Sequence, residues 1–98
     1  MPDDLPLKVA RAATEMGEHF AGWRKILGLT TTQVADRADI SRTTLRKLEH
    51  GDPSVAFHVV LRVARALGIL DTIAESLDPL KTDLGRARAG LLERKRVR

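Results

Sequence analysis

The chain has 98 residues, 43% hydrophobic and 31% charged, which suits one folded domain with tails and leaves little for a second core. The absence of cysteine excludes disulfide scaffolds and thiolate metal sites, and three aromatic residues (Phe20, Trp23, Phe57) are too few for reading single strands by base stacking. The net charge of +4 is concentrated in residues 86–98, where Arg86, Arg88, Arg94, Lys95, Arg96 and Arg98 are set against Glu93 alone, so a polyanion partner must be argued from local clusters.

No alternating β-branched run is long enough for a strand, and the apolar residues recur at spacings of three and four, so the expected fold is all-α. Leu7, Ala10, Ala13, Gly17, Phe20, Arg24 and Leu27 trace one helical face, with Val9, Met16, Trp23 and Ile26 beside it. This predicts a helix over 7–27, loosened at Gly17 and closed by Gly28. Thr30 is the N-cap of a short helix over 31–38 that turns Val34, Ala35 and Ala38 inward. Asp39-Ile40 is a brief turn. Ser41 caps a helix over 42–50 with Leu45 and Leu48 inward and Gly51 as its stop. After the loop Asp52-Pro53-Ser54, an apolar helix runs from 56 to 67 and ends at Gly68. Asp71 caps a fifth helix that reaches Leu77, and Asp78-Pro79 closes it. In residues 79–98, Gly85 and Gly90 weaken the pattern of Leu84, Ala87, Leu91 and Leu92, so a partly disordered basic tail is expected. The division is a domain over 1–78 and a tail over 79–98.

Two short helices joined by a tight turn form a unit that can place one helix in the DNA major groove. Ala35, Ala38, Ile40, Leu45 and Leu48 supply the small apolar face that holds the pair together. Arg42, Thr43, Arg46 and Lys47 are then left on the outward face of the second helix, with Thr44 and the terminal His50 as further candidate contacts. Arginine can bond a guanine edge through two hydrogen bonds, and threonine can meet a thymine methyl or a phosphate. Thr30, Thr31 and Thr32 open the first helix of the pair with hydroxyls and free N–H groups where a phosphate would sit.

Residues 16–68 resemble the Cro/C1-type (Xre) helix-turn-helix domain. The resemblance rests on Met16-Gly17, Phe20, Arg24, Gly28-Leu29-Thr30, Val34-Ala35, Ala38, Ile40-Ser41, Leu45, Leu48-Glu49, Gly51, Val63-Ala64 and Ala66-Leu67-Gly68. It implies a five-helix, lambda-repressor-like DNA-binding domain with a basic tail, binding double-stranded DNA as a transcriptional repressor without cofactor or metal. It also implies a salt bridge between Arg24 and Glu49. Three positions depart from the family pattern: Thr31 and Asp39 stand where glutamine and glycine are common, and Ala56 stands where a serine or threonine cap is expected, with Ser54 as a candidate substitute.

The loop Glu49-His50-Gly51-Asp52-Pro53-Ser54-Val55 and the endings Asp83-Leu84-Gly85-Arg86-Ala87-Arg88 and Lys95-Arg96-Val97-Arg98 are similar to HipB-like antitoxins. That similarity implies a HipA-type kinase toxin as a partner chain. The fifth helix carries more apolar surface than a solvent-facing helix needs, so Leu70, Ile73 and Leu77 are a candidate homodimer seam, weighed against packing on its own bundle. A protein-binding adaptor using the same fold or tail is the alternative to DNA reading. His19, His50 and His58 share no metal-ligand spacing, and no catalytic constellation can be assembled, so an enzyme is not expected. No apolar run approaches the roughly 20 residues of a membrane span. The acidic start Met1-Pro2-Asp3-Asp4 is unlike a signal peptide, so a cytoplasmic protein is expected.

Overall fold

The structure, a computed structural model, describes residues 4–96. Residues 1–3 of the acidic start, residues 97–98 and the side chains of Arg94, Lys95 and Arg96 lie outside the described part. Among the described residues there is no strand. The chain forms α1 (Leu7–Ile26), α2 (Thr31–Ala38), α3 (Arg42–Glu49), α4 (Phe57–Leu67) and α5 (Leu70–Ser76). A 3-10 turn (Pro79–Lys81), α6 (Asp83–Ala87) and α7 (Ala89–Arg96) follow.

Local chemistry explains where α2 and α3 begin. The Thr30 hydroxyl accepts from the Gln33 N–H at 3.0 Å, while the Gln33 side-chain oxygen accepts from the Thr30 N–H at 2.9 Å. This reciprocal box satisfies two donors that the helix cannot. Ser41 caps α3 in one direction only, accepting from the Thr44 N–H at 3.0 Å. Between them Asp39 adopts the left-handed conformation (φ 56°, ψ 49°), and the Ile40 N–H returns to the Ala35 carbonyl at 3.0 Å. The chain thus reverses within Asp39-Ile40-Ser41.

Phe20, Val34, Ala35, Ala38, Leu45, Leu48, Val59, Val63, Ala64 and Leu67 form one buried cluster. α2 lies against α4 and α3, α1 lies against α3 and α4, and α5 closes the side formed by α4. The small alanines of α2 permit a close approach to α4, and Val34, Leu45 and Val63 fill the centre.

The apolar face of α1 is buried only in part. Gly17 and Phe20 are covered, whereas Leu7 is 65% and Leu27 is 46% exposed. The reason is length: 20 residues span about 30 Å, and the eight-residue helix α3 covers about 12 Å of it. Nor does Gly17 loosen α1, which runs through it unbroken. A Cβ on Gly17 would lie 2.6 Å from the Leu48 carbonyl oxygen and 2.7 Å from the backbone of Glu49 and Gly51. Glycine is there because the end of α3 rests on the backbone of α1.

Two further expectations are corrected. Ser54 does not cap α4: its N–H and hydroxyl both donate to Asp52, at 2.8 and 2.6 Å, and α4 begins at Phe57 with no side-chain cap. α5 begins at Leu70, so Asp71 sits inside its first turn, where a carboxylate still favours the positive end of the helix. Beyond α5, the helical pieces Pro79–Lys81, Asp83–Ala87 and Ala89–Arg96 contain Leu84, Ala87, Leu91 and Leu92, the residues whose pattern Gly85 and Gly90 weaken. Thr82 caps α6 through the Gly85 N–H at 2.9 Å, and Gly85 is required because the Pro79 carbonyl lies against it.

Candidate nucleic-acid interface

α3 buries Leu45 and Leu48 and leaves Arg42, Thr43, Arg46, Lys47 and His50 exposed. At 3.6 residues per turn these five fall within an arc of about 140° on one side of the helix. Thr44 lies off this arc. It is half-buried, and its hydroxyl accepts from Ser41 at 2.9 Å, so it belongs to the cap. The His50 Nδ1–H donates to the Arg46 carbonyl at 2.8 Å, which turns Nε2 outward at the end of the helix.

The face is cationic because the one carboxylate of α3 is drawn off it. Glu49 accepts from Arg24 Nε at 2.8 Å and from a second guanidinium nitrogen at 3.2 Å, and Arg24 also donates to the Leu29 carbonyl at 3.2 Å. The side chains are only 14% and 10% exposed. Hydrogen bonding to Glu49 holds the Arg24 guanidinium above its already high ordinary pKa, so it stays charged. One pair of residues both neutralises the Glu49 carboxylate and ties α3 to α1.

The threonines at the start of α2 divide by role. Thr30 is committed to its capping box, while Thr31 is half-buried and Thr32 exposed. Of the first N–H groups of α2, that of Gln33 is taken by the cap, and those of Thr31 and Thr32 have no partner inside the helix. Gln33 was not singled out by the sequence reading, although the spacing Thr30-x-x-Gln33 is the sequence sign of a capping box. Arg62 was also missed. It reaches from α4 to Asp39 at 3.7 Å, a pairing across the fold that no local spacing announces, and it donates at 3.1 Å to His58, one turn earlier in α4.

On the candidate seam, Leu70 and Ile73 are half-buried against the core and Leu77 is 77% exposed. Among the described residues no group of histidine, aspartate and glutamate side chains could hold a metal ion. No described helix is long and apolar enough to cross a membrane.

A family model described as a helix-turn-helix domain matches residues 15–77. The chain belongs to the helix-turn-helix domain family. The match runs from the middle of α1 to the end of α5, so it takes in the buried cluster, the Arg24–Glu49 pair and the cationic face of α3. A relative in Methanothermobacter thermautotrophicus (strain Delta H), named an uncharacterized HTH-type transcriptional regulator, is 44% identical over 45 residues. Those residues are 46% of this chain, and the chain spans about 65% of the length of that relative. No solved structure matches the chain.

Proposed function

We propose that this helix-turn-helix protein is a sequence-specific, double-stranded-DNA-binding transcriptional regulator of the Cro/C1 (Xre) type, a repressor that reads the major groove with α3 as a homodimer. The observation that carries this reading is the outer face of α3, charged by Arg42, Arg46 and Lys47 alone, beside a Glu49 turned inward and paired. Arg42 and Thr43 stand at the end of α3 from which base edges are reached, and Arg46 follows one turn later. Thr31, Thr32 and the free N–H groups of α2 take backbone phosphates, and His50 and Lys47 extend the contact at the far end of α3. The exposed Leu77, next to Leu70 and Ile73, supports a dimer seam on α5. A two-fold protein on a pseudo-palindromic site doubles the contacts.

Within this class, the Gly51-Asp52-Pro53-Ser54 loop and the ordered segment around Gly85-Arg86 favour a HipB-like antitoxin that holds a HipA-type kinase and represses its own operon. Binding of fluorescent duplexes from the region upstream of the gene tests the main reading. Arg46→Ala is expected to weaken the cognate site by about 1–3 kcal/mol while weakening a scrambled duplex less. Equal affinity of wild type and variant for the cognate duplex would favour a protein-binding adaptor instead.

A further inference from the structure

The turn that leads into α3 carries a carboxylate close in sequence to the arginine at the leading end of that helix. Asp39 stands three positions ahead of Arg42, and its side chain is 94% exposed. Two attractions act on it from α3. The first is the positive end of the helix. There the Ser41 hydroxyl takes the Thr44 N–H, and the N–H groups of Arg42 and Thr43 have no acceptor inside the helix. The second is the Arg42 guanidinium, which has no carboxylate partner among the described residues. A carboxylate drawn to this end of α3 would compete with a base edge for Arg42.

Asp39 is instead held from the other side. Arg62, on α4, reaches its carboxylate at 3.7 Å through a terminal guanidinium nitrogen. The guanidinium is itself aimed, because its Nε donates to His58 Nδ1 at 3.1 Å. One planar group thus serves a partner on its own helix and a partner on the turn, which a lysine ammonium could not do in the same geometry.

The pair decides the direction of a side chain and not the course of the chain. The Asp39 backbone is fixed without it: φ is 56°, and the Asp39 N–H donates to the Asp36 carbonyl at 3.2 Å. An ion pair this open to solvent also adds little to folding. What it does set is where the one negative charge of the turn lies relative to Arg42.

We infer that Arg62 is a positioning residue for DNA reading, which holds the Asp39 carboxylate toward α4 and so leaves Arg42 free for the major groove. This rests on the DNA-binding reading of α3 above, and it adds a residue outside the two helices of the motif that keeps the leading arginine available.

The test is a set of affinities of the full chain for the duplex from upstream of the gene and for a scrambled duplex. Salt is held at about 0.15 M, where charges more than roughly 8 Å apart are largely screened. Arg62→Ala is expected to weaken the upstream duplex about two- to fivefold, the range over which one exposed ion pair can compete for a side chain, and the scrambled duplex less. The same change should have no effect in an Asp39→Asn background, where the new residue tolerates the left-handed conformation, and none in an Arg42→Ala background. Thermal unfolding of each variant separates these effects from loss of fold. A loss that persists in either background would overturn the positioning role. With Asp39→Asn it would mean that Arg62 grips a phosphate itself, and with Arg42→Ala that the freed carboxylate acts elsewhere. Unchanged affinity of Arg62→Ala would overturn the role and leave the reading of α3 standing. A wild-type protein that does not distinguish the two duplexes would overturn both.

Discussion

The Arg24 guanidinium and the Glu49 carboxylate face each other through two hydrogen bonds, at 2.8 and 3.2 Å, with a third from Arg24 to the Leu29 carbonyl. The pair joins α1 to the end of α3 and is largely shielded from water. Removing one partner leaves the other charge half-desolvated. Arg24→Ala is therefore expected to lose about 2–3 kcal/mol in urea unfolding, somewhat under the cost of breaking a fully buried pair. Arg24→Lys should recover little, because one ammonium cannot reproduce the planar fork. Arg24→Met with Glu49→Leu should keep most of the stability, and its affinity for DNA then reports how far the pair sets the angle of α3.

The contact of α1 with Gly51 predicts opposite outcomes at two glycines of the same helix. Gly17→Ala gains about 1 kcal/mol of helix propensity. It also drives a Cβ to within 2.7 Å of three backbone atoms that cannot rotate away, at a cost of about 1–3 kcal/mol or more. Thermal unfolding should come at a lower temperature. Gly22→Ala meets nothing within 4 Å and should raise it. Equal effects at the two sites would contradict the close packing described for Gly17.

Asp39 pays for the tight turn between α2 and α3 with a positive φ of 56°. Asp39→Gly removes that strain and also the Arg62 pair, which is open to solvent at 3.7 Å and contributes little. A net gain of about 0.5–1 kcal/mol is expected by calorimetry. Arg62→Ala alone should change stability by less than about 0.5 kcal/mol. A destabilised Asp39→Gly protein would assign the Arg62 contact a larger role.

The Asp52 carboxylate is held below its ordinary pKa, chiefly by the Ser54 hydroxyl and then by the Ser54 N–H. A depressed folded-state pKa means that the stabilisation is complete above the ordinary carboxylate value of about 3.9 and is lost as pH falls through the lowered value. Denaturation of wild type and Asp52→Ala across an acid series should therefore show a constant difference from about pH 5 to 7 that narrows below about pH 4. A difference independent of pH would mean that Asp52 acts by packing rather than charge.

Much of this protein was legible along the chain. The two caps Thr30 and Ser41, the inward Val34, Ala35, Ala38, Leu45 and Leu48, and the outward Arg42, Thr43, Arg46 and Lys47 follow from helical period and local hydrogen bonding, both of which act within a few residues. The left-handed Asp39 is likewise a local property of a short turn. The Arg24–Glu49 brace came from family resemblance rather than from spacing, since 25 residues separate the partners.

The remaining features depend on which surfaces meet. Gly17 reads as a weak point in a helix until the carbonyls of Leu48 and Glu49 are seen resting on it. The apolar residues of α1 and of the segment after α5 look alike in sequence, yet Phe20 is buried while Leu7, Leu84 and Leu91 are exposed, because burial depends on the length and placement of neighbouring helices. Short-range periodicity and capping were enough to specify the helices, the turn and the cationic face of α3. Packing decided how α3 is held and which apolar residues are left uncovered.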